Sequence, residues 1–481
     1  MLAGIWPIVL VVGEFLIQLV LIGFILLRRR PHSASTLAWI VVIMVLPLLG
    51  IVGYLLVGEI RLGQRRIKRH RAILGQLAGL RTLRRDAAEV LQPDVPALFR
   101  PLATLAEAVG NNSVVGGNGF QLISNTDLFI ESLVEDIDAA KHHCHLLFYI
   151  FLNDFSGRRT AAALMRAAAR GVSCRLLVDA VGSRAFLRSD LRREMEEAGV
   201  RVVEALHANP LRMLFARLDL RNHRKIAIID GVIGYLGSHN IADAQFAIKP
   251  KYAPWIDAQV RVEGPVTRDL QRLFIEDWYM DTDESLDEVL SIEPPVVPKG
   301  VATQIMATGP NSYNEALRQL NLTAFHTARE ELILTTPYFV PDEATAMALR
   351  TAARRGVETT MIFPARNDSP FVAAASRSHY EPLLEAGVRI YEYEKGLLHA
   401  KTLTLDRSLA LITSANLDRR SFELNFEVSM LVFDSDFASE LRFLQTSYLS
   451  DSRPVDLATW RRRPWPAKLW QNAAGTLGPL L

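Results

Sequence analysis

Two short runs of this chain carry residue types able to break and remake a phosphodiester. The first is His223-Arg224-Lys225, then Asp230 after four residues, then Gly237-Ser238-His239-Asn240 after six more. The second is His399-Ala400-Lys401, Asp406 and Thr413-Ser414-Ala415-Asn416, with the same spacing. Each asparagine lies 17 residues beyond its histidine. His and Lys two apart in an extended segment point to one face. One imidazole can attack phosphorus, a second can protonate the departing alcohol, and lysine with asparagine can hold phosphate oxygens as charge builds. His223 and His399 are thus candidate catalytic groups, Lys225, Lys401, Asn240 and Asn416 candidate phosphate ligands, and Asp230 and Asp406 complete each motif. Two copies supply two imidazoles, two ammonium groups and two amides, so the expected chemistry needs no metal and no cofactor. One His-x-Lys alone would read as a surface pair. Two copies at one spacing do not.

The elements around these motifs repeat as well. The stretches after each lysine, IAII and TLTL, read as strands, and a turn can return each asparagine beside its histidine. Residues 139–178 and 327–363 each read as an apolar strand, a turn, a helix ending Ala-Arg-Gly or Arg-Arg-Gly, and a second strand. Gly171 and Gly356 suit helix C-caps. Each copy continues with a helix closed by Glu-Ala-Gly-Val-Arg, at 197–201 and 385–389. Alternating strands and helices predict an α/β fold of two tandem halves, each a mixed, mostly parallel sheet flanked by helices. We place the first half at 111–291, a Pro-rich linker (IEPPVVPKG) at 292–300, the second half at 301–450 and a tail at 451–481.

The N-terminus is of another kind. Residues 3–27 carry one charge, Glu14, and residues 36–58 carry none. About 20 apolar residues suffice for a helix to cross a bilayer, so residues 1–60 are expected to form a transmembrane helical hairpin. Pro47, Gly50 and Gly53 keep a bent, re-entrant second segment as the alternative. Residues 61–110 are expected to be a basic juxtamembrane linker, since Arg61, Arg65, Arg66, Lys68, Arg69, Arg71, Arg81, Arg84 and Arg85 occur with no acid among residues 61–85. That excess places the C-terminal region in the cytoplasm and attracts anionic lipid headgroups. The whole chain of 481 residues has 54 Lys and Arg against 52 Asp and Glu, a net charge of +2. With residues 61–85 contributing +9, the remainder is net negative, which argues against nucleic acid as a partner. Two cysteines, Cys144 and Cys174, exclude a disulfide framework or Cys-rich zinc site.

Weaker signals remain. His142, His143, Cys144 and His145 read as a helix–strand boundary rather than a metal cluster, because strand alternation separates the side chains. Residues 211–220 (LRMLFARLDL) mix apolar residues with Arg212 and Arg217 and suit either the headgroup region or an ordinary core segment. Trp460, Trp465 and Trp470 among Arg461, Arg462, Arg463 and Lys468 have the composition of an interfacial anchor. Asn367-Asp368-Ser369 follows a strand end, where α/β sites gather.

The doubled His-x-Lys-x4-Asp motif resembles the phospholipase D superfamily. Residues 46–59 (LPLLGIVGYLLVGE), 221–230 (RNHRKIAIID), 307–310 (ATGP), 335–343 (TTPYFVPDE) and 414–427 (SANLDRRSFELNFE) are similar to the bacterial cardiolipin synthases within it. The resemblance implies two phospholipase D-like halves related by pseudo-twofold symmetry. It implies transfer of a phosphatidyl group from one phosphatidylglycerol to another, giving cardiolipin and glycerol through a phosphatidyl-histidine. By the same resemblance His223 is the nucleophile, His399 the acid and base, and Asp257 and Glu427 orient the imidazoles, while Asp230 and Asp406 support the motif. It also implies phosphatidylglycerol as donor and acceptor, anionic membrane lipids as surroundings, and a bacterial inner-membrane location; a homo-oligomer is left open. Thr413 stands where the family usually has Gly. The competing function is hydrolysis, with water as acceptor.

Overall fold

In the computed structural model, which describes residues 5–27, 33–58, 66–77, 93, 95–207, 217, 219–246, 248–311 and 315–477, the two halves share one sheet. The first half contributes, in spatial order, Arg201–Ala205, Ser173–Asp179, His143–Phe148, Lys225–Ile229, Ile233–Gly237, Gln259–Glu263 and Val115–Ile123. The second contributes Arg389–Tyr393, Glu358–Pro364, Glu331–Thr335, Thr402–Leu405, Leu409–Thr413, Asn425–Phe433 and Val301–Thr308 in the same relative order. The last strand of each list pairs antiparallel with the other, Val115 opposite Thr303, which closes the pseudo-twofold. Helices Phe155–Ala169 and Glu343–Arg354 repeat one packing stripe: Ala161, Leu164 and Ala167 in the first, Ala346, Leu349 and Ala352 in the second. Each fully buried leucine contributes about 1.5–3 kcal/mol.

The expected mostly parallel sheet is not what forms. In each half only the three outer strands run parallel; the other pairings are antiparallel. A helix long enough to cross the sheet joins parallel strands, whereas a tight turn joins only antiparallel ones. The strand after each His-x-Lys ends in such a turn, at Asp230-Gly231 and Asp406-Arg407, all four with positive φ.

Two further expectations are corrected. Residues 61–110 are not merely a linker: helix Arg100–Gly110 buries Leu102 and Ala106 in the second-half core, and Ile73 and Leu77 of the helical stretch 66–77 join a second cluster. Arg66 and Arg69 are not left to headgroups; they pair with Asp281 (2.8 Å) and Asp283 (2.9 Å). Arg61, Arg65, Arg81, Arg84 and Arg85 lie outside the described residues, as do 211–216 and 218. In the tail, Ser452–Pro454 adds an edge strand, and Trp460 packs on Tyr380 with centroids 4.9 Å apart rather than facing outward.

The described residues 5–27 and 33–58, with 217, 219 and 220, belong to a separate compact unit. Its helices are Ile5–Leu27, Ser33–Val45 and Pro47–Gly53, with a π turn at Tyr54–Gly58. The second apolar segment is therefore not one helix. Trp39 and Tyr54 lie edge to face at 5.6 Å, where a straight helix would hold them about 22 Å apart. The chain bends at Leu46-Pro47, and Gly50 comes so near Val42 that a Cβ would stand 2.6 Å from the Val42 carbonyl oxygen. The bend has the shape that the re-entrant alternative requires, and the described residues do not form the expected hairpin of two straight spans. Among the described residues no helix is long and apolar enough to cross a membrane.

Candidate active site

Each histidine is delivered to its place by a two-residue strand of its own half that pairs with the opposite half. Arg221–Asn222 pairs parallel with Asn425-Phe426, so the residues that follow, His223 and Glu427, are neighbours. Leu397–Leu398 pairs parallel with Trp255–Ile256, so His399 and Asp257 meet in the same way. Backbone bonds lock both junctions, from His223 N–H to the Phe426 carbonyl (2.9 Å) and from His399 N–H to the Ile256 carbonyl (2.7 Å).

The side chains complete two crossed pairs. His223 Nδ1 is 3.0 Å from Glu427 Oε2, and His399 Nδ1 is 2.6 Å from Asp257 Oδ1. With a carboxylate on Nδ1, each neutral ring carries its proton there, which leaves Nε2 as the atom that can meet phosphorus. Ser238 and Ser414 each donate to the same carboxylates, at 2.6 and 2.5 Å. Glu427 also accepts from Ser421 (2.9 Å) and Asn425 (3.2 Å). These serines were overlooked in the sequence, although Ser238 and Ser414 sit at the same offset from their histidines. Two rings flank the imidazoles: Tyr149 edge-on to His223 at 4.9 Å and Trp255 against His399 at 4.6 Å. Nothing in the motif spacing pointed to them.

Burial dominates the electrostatics. It pulls both His223 and His399 down to about 4; the partner carboxylate opposes this in each case, and Lys225 and Lys401 add to it. For Glu427 burial acts upward, but His223, Lys225 and Ser414 together bring it to about 2, and His399 likewise keeps Asp257 well below the usual carboxylate range. At neutral pH the site therefore holds neutral imidazoles on ionised carboxylates. Burial also lowers Lys225 to about 7 and Lys401 to about 8. Each ammonium is tethered to the carbonyl of its own histidine, Lys225 to His223 and Lys401 to His399, both at 2.6 Å. This follows from the i, i+2 relation on one strand face.

His223, His399, Asn240 and Asn416 line one cavity of about 450 Å³. The two lysines lie just behind it, fully buried. Asn240 Oδ1 accepts from Ile150 N–H (3.0 Å), leaving its amide nitrogen to donate, and Asn416 Oδ1 is buried without a partner among the described residues. Arg221, Arg420 and Asp418 also line the cavity, with Asp418 pushed up to about 6 by burial. Asp368 and Ser369 reach it too; Asp368 accepts from Tyr338 (2.6 Å) and pairs with Lys249 of the other half (2.5 Å). Arg224 spans the halves beneath the site, binding Asp277 and the carbonyls of Glu427 and Thr308.

Asp230 and Asp406 stand apart from the reacting groups. Asp230 accepts the backbone N–H groups of Lys141, His142 and His143 (each 2.8 Å), and Asp406 those of Arg329, Glu330 and Glu331. Both carboxylates tie the helix-to-strand junction to the turn. Thr413 is tolerated where Gly237 is required. A Cβ on Gly237 would stand 2.3 Å from the Ala258 carbonyl oxygen, whereas the Thr413 hydroxyl donates to the Val428 carbonyl (3.1 Å) and accepts from Ala415 N–H (3.0 Å). His143 and His145, two apart on one strand, share Gln271 at 3.0 and 3.3 Å, and Cys144 faces the other side. Among the described residues no His, Cys, Asp or Glu cluster is arranged to hold a metal.

Comparison with known proteins gives a consistent picture. The family described as "Cardiolipin synthase, PLD-like domain" matches residues 133–278 and 322–444, and the phospholipase D-nuclease N-terminal family matches residues 16–59. Cardiolipin synthase A of Serratia proteamaculans (strain 568) is 39% identical over 460 residues, covering 95% of each chain. That of Edwardsiella ictaluri (strain 93-146) is 39% identical over 94% of this chain and 93% of its own. In fold, the crystal structure of phosphatidylserine synthase from Haemophilus influenzae Rd KW20 superposes with a TM-score of 0.61 at 13% identity, over 79% of this chain and 100% of that one.

Proposed function

The chain belongs to the bacterial cardiolipin synthases of the phospholipase D superfamily, and from that premise we propose a division of labour in its cavity. The enzyme is a phosphatidyltransferase that makes cardiolipin; the roles below, and phosphatidylglycerol as both donor and acceptor, are our assignment. His223 Nε2 attacks the phosphorus of one phosphatidylglycerol. The phosphorus–glycerol oxygen bond breaks, and His399, which takes up a proton on Nε2 as the lipid phosphate binds, gives that proton to the leaving glycerol. Then His399 takes the proton of the terminal hydroxyl of a second phosphatidylglycerol, the freed oxygen attacks phosphorus, and the nitrogen–phosphorus bond breaks. One diester is exchanged for another, so no external energy source is required. Lys225, Lys401 and the amides of Asn240 and Asn416 stabilise the phosphate oxygens as charge builds.

The observation that carries this reading is the crossed pairing: two imidazoles in one cavity, each held through Nδ1 by a carboxylate of the other half. An asymmetry supports the choice of nucleophile. Glu427 divides its charge among four donors, while Asp257 serves His399 and Ser238. The less divided carboxylate, at the shorter distance, better supports a protonated imidazole, which suits His399 as acid. The bound lipid phosphate offsets the two ammonium groups that help hold His399 neutral, so substrate itself readies the acid.

We assign the chain to the bacterial inner membrane through its N-terminal apolar segments. A re-entrant second segment would return both basic clusters of the sequence (28–30 and 61–85) to one side, and the charge rule would make that side, and the catalytic region, cytoplasmic. The test is to feed labelled phosphatidylglycerol to membranes containing the protein. Cardiolipin with free glycerol is expected; phosphatidic acid alone would replace transfer by hydrolysis.

A further inference from the structure

The last helix, Trp465–Thr476, sits one layer from the catalytic cavity. It packs on helix Pro370–Ser378 through Ala474, which clusters with Val340, Ala374 and Ala375, while Gly475 approaches Ser378. Val340 and Val372 of this patch are themselves cavity-lining residues. What the packing leaves outside is apolar. Trp465 is 74% exposed, Leu469 62% and Trp470 51%, even though Trp470 lies edge-on to Phe371 at 5.8 Å. Val181 and Ile248 line the same cavity and are exposed too. Cations border this ledge. Arg461 and Arg463 are matched by Glu381 and Glu385, but Arg462 is exposed and Lys468 bonds only to the Arg461 carbonyl among the described residues.

A soluble surface seldom gathers large apolar side chains at the rim of a polar cavity. Tryptophan and leucine bordered by basic groups fit the headgroup boundary of an anionic bilayer. We propose that Trp465, Leu469 and Trp470, with the exposed cavity residues Val181 and Ile248, form a bilayer-docking ledge that sets the cavity mouth against the lipid surface. The partner is the interface of an anionic membrane. This rests on the functional reading above, since a cavity that takes its substrate from a bilayer must open onto one. Docking here lets the lipid phosphate move to the imidazoles while its acyl chains stay along the apolar rim. The ledge adds to whatever anchoring the N-terminal segments supply.

The experiment uses the full chain reconstituted in phosphatidylglycerol vesicles containing lipids brominated near the headgroup end of the acyl chain. The tryptophan emission of the protein is compared with that of the W465F/W470F variant, and the same vesicles are assayed for cardiolipin. We expect the fraction of emission lost in the variant to be quenched by brominated lipid, beyond any quenching of Trp6 and Trp39 of the N-terminal segments, which the variant retains. If that fraction is unquenched, the ledge does not meet the bilayer, whether or not cardiolipin forms. Quenching without cardiolipin would overturn the transferase reading and leave the ledge standing. As a second arm, W465S/L469S/W470S should raise KM for vesicle phosphatidylglycerol at least about tenfold with kcat retained, and leave both unchanged for a monomeric short-chain phosphatidylglycerol. An equal loss on both substrates would mean that the helix is merely structural.

Discussion

The crossed pairs make a sharp prediction: a residue in the second half should govern the chemistry assigned to the first. Glu427→Gln keeps the size and shape of the group that holds His223 but removes its charge. The bond from Nδ1 to Oε2 is 3.0 Å, which puts the charge centres about 4 Å apart; at an effective dielectric near 20 their attraction is about 4 kcal/mol. Opposite charges at this range move a pKa by about 1–3 units, or about 1.4–4 kcal/mol. Formation of the positively charged phosphatidyl-imidazole should therefore slow about 10- to 1000-fold. Asp257→Asn acts on His399 instead, weakening proton transfer in both directions, so a covalent adduct forms slowly and also persists. The assay is a single turnover on phosphorus-labelled phosphatidylglycerol, stopped in alkali, with label on the protein counted over time. Glu427→Gln should track His223→Ala, with little adduct at any time. Asp257→Asn should track His399→Ala, with adduct retained while cardiolipin output falls. Adduct at the wild-type rate in Glu427→Gln, together with none in Asp257→Asn, would refute the crossed assignment.

Other consequences can be measured alongside. Raising pH through about 7 to about 8 should lower kcat/KM, because Lys225 and Lys401 lose the protons with which they hold phosphate. Stability should move the opposite way. Between those values and the ordinary lysine value of about 10.5 the unfolded chain binds more protons than the native one, so native stability rises with pH; a parallel fall of both would contradict the burial argument. Asp230→Ala should cost about 2–5 kcal/mol in denaturant unfolding, since three backbone donors lose a charged acceptor, yet leave activity per folded molecule unchanged. A catalytic Asp230 would show the reverse. Gly237→Ala should destabilise by about 1–3 kcal/mol through its clash with the Ala258 carbonyl. Thr413→Gly should cost only about 1 kcal/mol through lost hydroxyl bonds and added backbone freedom, as thermal unfolding in detergent can check.

Residue type and local spacing are properties of short stretches, and what they control was legible directly. The doubled His-x-Lys motif, its asparagines, the repeated strand–helix–strand units with Gly171 and Gly356 as caps, and the apolar N-terminus all rest on contacts within about 20 residues. The sheet direction was misjudged because helix crossovers announce themselves by length, while the tight turns at Asp230 and Asp406 look like ordinary loops. Arg66 and Arg69 read as headgroup ligands until the fold brought Asp281 and Asp283 to them. The second apolar segment had the composition of a span, and only the approach of Tyr54 to Trp39 shows that it folds back. The deciding case is the site. The motifs named both imidazoles and the family resemblance both carboxylates, but His399 and Asp257 are 142 positions apart and His223 and Glu427 are 204 apart. No periodicity reaches that far. Which acid serves which base was decided by two short parallel bridges between the halves, because a shared sheet and a pseudo-twofold carry each histidine past its own half and seat it against the other.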